Sequence, residues 1–486
     1  MSVEEALAQY AHSFPTASIS DQAMRTARQS VLDILGVTLA GQTRPEVRLL
    51  QKAMKTWGPP ECPVLGTAIQ LPPADAALLN GAAARVLDFD DVVDPLGIHP
   101  SVAIFPVICA IAALSPDKVF GRDFLAAMAI GQDLQTRLAR SRKETLLESG
   151  RYDLSKVIAA AAAAARLRGL SQEQLHAAMG IAYTSALGEA QCMVEGAPTV
   201  SYQQGLVASN AVRAVLLAEQ GFTGARQFLT GRYGLFSAFE PGSRPETLLD
   251  RLGEHFAGDD DIAYKPYPTC RPNISATALA IELADGRPIS ADDVERIDIA
   301  MNQQIFDLVC APADQKWRPR TPVEARFGMA YTVAVGLQNG IVFIQDYDED
   351  ALSHPEILQL SEKVHPRVDP ACEIAELGAH GLIIVNITWA DGTRTIGEVA
   401  KPKGNPQNPL SQEELEEKFS RCLAYAFPDI EGSQIDRLIQ ASHSLSDPNF
   451  MVRDFLALIP TLDAEDTDLT EDLPQAQDLV PAQSED

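Results

Sequence analysis

The spacing of hydrophobic residues changes twice along this chain, and those two changes constrain its fold more than any other feature. Behind Ser20-Asp21-Gln22, the residues Ala23, Ala27, Val31, Ile34, Leu35 and Leu39 recur close to helical spacing. Gly121-Arg122-Asp123 precedes a second helix over Phe124 to Leu138. Lys156 to Leu167 is dense in alanine, so a neighbouring helix can pack tightly against it, and Gly169 suits its carboxyl-terminal cap. Ser171-Gln172-Glu173-Gln174 then carries a capping-box pattern. Beyond Tyr264 the period shortens. Val294 to Met301 alternates apolar and polar side chains as a half-buried strand does, and Leu382 to Trp389 with Thr393 to Val399 flank Asp391-Gly392 as a hairpin. Pro322 to Leu337, between them, reads as one helix. From Ser411 the helical pattern returns through Phe419 and Leu423, and again over Ile435 to Leu445. The chain leaves a helical domain, builds an α/β unit, and comes back.

Composition narrows the possible partners. At 486 residues, 46% hydrophobic and 22% charged, the chain is globular and too long for one compact core. Its formal charge of −27 repels nucleic acid and anionic membrane. Much of that excess follows Leu462, where acidic residues occur without Lys or Arg, so residues 463–486 are expected to form a disordered acidic tail. The longest apolar candidate, Ala159 to Ala165, is bounded by Lys156 and Arg166 and falls short of a membrane span. Met1-Ser2-Val3-Glu4-Glu5 lacks the basic and apolar blocks of a secretory signal, so the expected location is cytoplasmic. Seven scattered cysteines without a CxxC pair argue against a disulfide framework.

The chemistry concentrates in Asn80-Gly81-Ala82-Ala83-Ala84-Arg85-Val86-Leu87-Asp88-Phe89-Asp90-Asp91, closed by Gly97-Ile98-His99-Pro100-Ser101. Three carboxylates within four residues repel one another, so they need solvent, a cation or a reaction to keep them there. An imidazole follows within a short loop and can exchange a proton near neutrality. The plain alternative is a solvated, Asp-rich cap before a helix. The remaining histidines, His12, His176, His255, His354, His365, His380 and His443, lack the close spacing of a zinc site. Gly231-Arg232-Tyr233-Gly234 lacks the Gly-Lys-Ser/Thr ending of a phosphate loop and reads as a turn.

These residues resemble the signature of the MmgE/PrpD superfamily, and three further stretches resemble it in the same order. They are Tyr264-Lys265-Pro266-Tyr267-Pro268-Thr269-Cys270-Arg271, Ala325-Arg326-Phe327-Gly328-Met329-Ala330-Tyr331, and Lys401-Pro402-Lys403-Gly404-Asn405-Pro406. The resemblance implies a mainly α fold with an α+β insertion. A large all-helical domain would be built from 1–262 and 408–462, and a smaller α/β domain from 263–407. It also implies a homodimer that works without metal or organic cofactor on small polycarboxylates bound between the domains. Lys265 and Arg271 are then the expected carboxylate binders.

Departures from the family pattern are as informative. Arg85 stands where a histidine is usual, and Tyr152 stands where the decarboxylases often carry a catalytic histidine. Thr199-Val200-Ser201 lacks a substrate-binding lysine, and Arg271-Pro272-Asn273-Ile274-Ser275 lacks a histidine. Fewer cations favour a less charged substrate. The resulting expectation is a cofactor-independent lyase, acting on an alkylcitrate or aconitate-like acid by moving a proton next to a carboxylate. Asp88, His99, Tyr152 and Lys265 are assigned to catalysis, and Arg85, Asp91, Tyr267 and Arg271 to substrate binding or support. Trp317-Arg318-Pro319-Arg320 is a further candidate lining of the cleft. An isomerase or epimerase on a related acid is the alternative within enzymes, and a non-catalytic scaffold the alternative outside them.

Overall fold

The computed structural model describes residues 1–55, 57–144, 149–374 and 381–462. The acidic tail expected over 463–486 and His380 lie outside the described residues. Helices dominate, and several begin where local chemistry sets them. The Ser20 hydroxyl accepts the Ala23 amide ahead of helix Asp21–Gly41, and Ser171 and Ser411 form capping boxes with Gln174 and Glu414. Gly169, at φ 74°, ends helix Lys156–Arg168 in the left-handed conformation that side chains disfavour. The alanine run of that helix is wholly buried.

Two large cores divide the buried side chains. One gathers residues between Leu7 and Phe256 with Phe419, Leu423, Leu438 and Phe455 from the returning chain. The other draws on Cys270 to Ile387, around a four-stranded sheet. In that sheet Val294–Met301 runs parallel to Val364–Val368 and antiparallel to Ile383–Trp389, which pairs in turn with Arg394–Val399. Ile297 lies opposite both Val364 and Ile387. Helix Arg271–Leu283 packs on the hairpin strands and on helix Met329–Asn339. We propose on this ground that 1–262 with 408–462, and 263–407, are the folding units.

The single helix expected over Pro322 to Leu337 is instead two, Pro322–Arg326 and Met329–Asn339. Gly328 breaks it with an extended backbone, φ −106° and ψ 107°, and a Cβ there would sit 2.9 Å from the Lys316 carbonyl. All seven cysteines are buried and free of disulfides. Among the described residues no helix is long and apolar enough to cross a membrane.

Candidate active site

Helix Pro73–Val86 delivers Arg85 at its last turn. It crosses helix Thr199–Glu219 so closely that a Cβ on Gly205 would meet the Leu78 carbonyl at 2.2 Å, and glycine is required there. The chain then turns through Asp88, whose φ of 51° is unusual for a residue with a side chain. Val92–Val93 pairs antiparallel with Ile262–Ala263, and that register sets Lys265 against Asp88. Gly97, at φ 63°, lets Val93 donate to the Ile98 carbonyl at 2.9 Å, which folds His99 back onto the carboxylate run. Asp88, Asp90 and Asp91 are all buried, so the solvated-cap alternative fails.

Each carboxylate in the run has a different neighbour. Asp88 receives Arg85 Nη1 and lies 3.0 Å from Lys265 Nζ, which also donates to the Asp88 carbonyl at 2.8 Å. Burial pushes its carboxyl up, but Arg85 and Lys265 outweigh this and hold it below the ordinary carboxylate range. Asp90 accepts from Arg85 at 2.9 Å and has Oδ2 3.1 Å from His99 Nδ1. Burial raises it too, yet Arg85 and His99 hold it well below normal. Asp91 accepts the Ser101 amide at 3.1 Å and the Ser101 hydroxyl, where helix Ser101–Ala113 begins. Burial, joined by the nearby Asp33 and Asp90 carboxylates, pushes Asp91 up to about 7 despite the Ser101 hydrogen bonds.

His99 Nδ1 faces two acceptors, the Asp91 carbonyl at 2.8 Å and the Asp90 carboxylate. Neither can donate, so Nδ1 carries the proton and Nε2 keeps the lone pair. Burial lowers the imidazole's affinity for a second proton, against the pull of Asp90. The ring is therefore a neutral base near pH 7. Tyr152 provides the complementary group: burial pushes its phenol up to about 12, although Arg85 favours the phenolate, so it stays protonated. Beneath its ring, 4.0 Å from the centroid, lies Lys156 Nζ. That lysine is buried and donates to Gln204, and desolvation lowers it to about 7.

Arg85, Asp88, His99, Tyr152, Lys265 and Arg271 line one cavity of about 100 Å³. Asp91 and Tyr267 do not line it. Asp91 stands behind it on Ser101, and Tyr267 packs half-buried against the core of the sheet region. Although Arg271 reaches the cavity, its guanidinium is committed elsewhere. Nε and Nη2 grip Asp94 at 2.7 and 2.9 Å, and Nη1 donates to the Lys403 carbonyl at 2.9 Å. Asn405 also donates to Asp94, at 2.7 Å. This junction explains the Lys401 to Pro406 motif: Tyr264 donates to the Gly404 carbonyl at 3.0 Å, and a Cβ on Gly404 would overlap the Tyr264 carbonyl. Trp317 and Arg318 turn away from the cavity, to the Val364 carbonyl and to Glu362 respectively.

Sequence reasoning missed several contributors. Asp90 carries no signal in sequence that separates it from Asp88 and Asp91, and Lys156 reads there only as the end of an alanine stretch. Met193, Ile305, Leu308 and Phe327, which also line the cavity, look like ordinary core residues in sequence. Phe327 alone carried a signal, since it sits within the third motif. The carbonyl of neighbouring Arg326 accepts from Cys270 at 3.0 Å and from Asn273 at 3.0 Å, fixing the turn after Lys265.

The resemblance in these motifs extends over most of the chain. Residues 5–248 match the MmgE/PrpD N-terminal domain and residues 267–444 match the MmgE/PrpD C-terminal domain, so the chain belongs to the MmgE/PrpD family. Cis-aconitate decarboxylase of Homo sapiens is 27% identical over 468 residues, covering 92% of each chain. The protein of that name from Mus musculus is 28% identical over 449 residues, 86% of each. 2-Methylcitrate dehydratase of Salmonella typhimurium is 26% identical over 435 residues, 84% of this chain and 88% of that protein.

Proposed function

We propose that this protein is a lyase that moves a proton next to a carboxylate on a small acid related to alkylcitrate or aconitate. The observation that carries the reading is the cavity pairing a neutral imidazole, His99, with a protonated phenol, Tyr152, beside Lys265 and Arg85. In this reading His99 Nε2 takes the proton from the carbon next to the carboxylate, and the electron pair left behind spreads into that carboxylate. Lys265 and Arg85 stabilise the developing charge, which is where a fixed cation acts most strongly. For dehydration, the Tyr152 phenol protonates the departing hydroxyl as the C–O bond breaks, releasing water. Decarboxylation needs no proton removal: the C–C bond breaks to release carbon dioxide, its electron pair stays on carbon, and that carbanion takes the proton of Tyr152. Asp90 and the Asp91 carbonyl orient the imidazole, and Asp88 sets the two cations.

Support from the comparisons is the pair of activities named for the relatives, a decarboxylase and a dehydratase. None of these steps calls for a metal or organic cofactor, and dialysis against a chelator is expected to leave the rate unchanged. The homodimer and cytoplasmic location implied by the family belong to the same proposal, and light scattering and cell fractionation test them. The direct test is turnover of 2-methylcitrate, citrate, cis-aconitate and longer alkylcitrates by the purified protein. Product formation from one of them is expected, and silence on all of them defeats the lyase reading. One observation favours a second reading: a neutral base and a neutral acid in one cavity also suit proton removal and return without loss of a group. Deuterium uptake from heavy water into otherwise unchanged substrate identifies that isomerase.

A further inference from the structure

The cavity's charges balance before any ligand arrives. Arg85 is shared between Asp88 and Asp90, Lys265 is paired with Asp88, and Arg271 is gripped by Asp94. Among the described residues that line the cavity, every cation already has an anionic partner, so each additional substrate carboxylate is harder to bury. The same cavity is also lined by apolar side chains, Leu96, Met193, Ile305, Leu308 and Phe327 among them. Met193, Gln304 and Leu308 also border a second cavity of about 650 Å³, so the two spaces adjoin at these residues. That outer space is fringed by the exposed carboxylates Glu189, Asp307 and Glu373, with the buried Lys316 as its cation. A path so lined slows a polyanion and leaves a weakly charged acid little affected.

Building on the lyase reading, we infer that the acid taken by this site is a dicarboxylate bearing a linear alkyl substituent, which lies along Leu96, Met193, Ile305, Leu308 and Phe327. A 3-alkylmalate has this chemistry. His99 removes the proton from the carbon bearing the alkyl group, the electron pair forms the C–C double bond, and the hydroxyl leaves as water with the proton of Tyr152. The product is the alkyl-substituted unsaturated diacid, with no oxidant or reductant involved.

The test is a homologous series on the full-length protein: 3-methyl-, 3-butyl- and 3-hexylmalate beside cis-aconitate and 2-methylcitrate. Transfer of a methylene from water predicts a rise in kcat/KM of roughly fourfold per added carbon while the apolar lining lasts. Leu308→Gln should compress the hexyl-to-methyl ratio. For the tricarboxylates, kcat/KM should rise with salt and in Asp307→Asn/Glu373→Gln, because both weaken repulsion at the mouth. A flat dependence on chain length, or cis-aconitate and 2-methylcitrate outrunning every alkylmalate, overturns this inference and leaves the lyase reading intact. If no acid is turned over, calorimetry with unreactive alkylsuccinates separates the two. Affinity rising with chain length upholds the inference without the lyase, and absence of binding overturns both.

Discussion

Replacing Lys418 with methionine tests whether the returning carboxyl-terminal helix holds the carboxylate run in place. Lys418 Nζ lies 2.6 Å from Asp33 Oδ1, donates to the Phe89 carbonyl at 2.8 Å, and stands 3.9 Å from the Phe89 ring centroid. Both charged side chains are buried, so Lys418→Met strands the Asp33 carboxylate away from water. Breaking a buried pair in this way costs about 3–5 kcal/mol. Asp33→Asn/Lys418→Met removes both charges and should cost only about 1–2 kcal/mol, the scale of the lost hydrogen bond and ring contact. The pH dependence follows from Asp33, whose carboxyl burial raises above its ordinary value despite Lys418. A raised acid contributes stability that is complete below its unfolded pKa and is lost as pH climbs through the folded one. Without Lys418 the folded value climbs further, so the single variant's penalty is full at pH 8 and shrinks towards pH 4. Urea unfolding of the wild type and both variants at pH 8 and pH 5 measures this. Equal penalties for the single and double variants at pH 8, or a single-variant penalty that ignores pH, would refute the reasoning.

Other substitutions separate roles within the cavity. Tyr152→Phe should lower kcat by about 10²- to 10⁴-fold with little change in KM, the range for a lost general acid, and steady-state kinetics on a productive acid checks it. Lys156 titrates near 7 when folded, below its ordinary value. The unfolded chain therefore binds the extra proton between about pH 7 and pH 10, and stability should rise with pH there by at most about 1.4 kcal/mol per unit. Lys156→Met should lack that rise in chemical denaturation. Arg271→Lys keeps the charge but loses the two-point grip on Asp94, so it should destabilise by about 2–3 kcal/mol in denaturant titration. A rise in KM without loss of stability would instead make Arg271 a substrate binder.

What was legible in the sequence was what local chemistry decides. The Ser20 and Ser171 caps, the Gly169 stop and the strand Val294–Met301 depend on residues a few positions away, and they appear where the pattern put them. The break at Gly328 was hidden because it answers to the Lys316 carbonyl packed against it. Within the Asp run, sequence showed three similar carboxylates. Their separate neighbours follow from the left-handed turn at Asp88 and from partners as distant as Lys265 and Ser101. Arg271 looked available for substrate because Asp94 is remote in sequence and the Asp94–Arg271–Asn405 junction forms only on folding. Ile305 and Leu308 looked like any core residues, since an apolar side chain facing a cavity has the same spacing as one facing a neighbour.

The Asp33–Lys418 pair also sets an order of events during synthesis. The ribosome releases Asp88, Asp90 and Asp91 early, but the ammonium beneath Phe89 emerges only with helix Gln412–Ala426. Until then Arg85 and Lys265 can already pair with the carboxylate run, but the Phe89 carbonyl between Asp88 and Asp90 lacks its ammonium. A product truncated before Lys418 should therefore hold the turn at Phe89 less firmly even if everything upstream has folded.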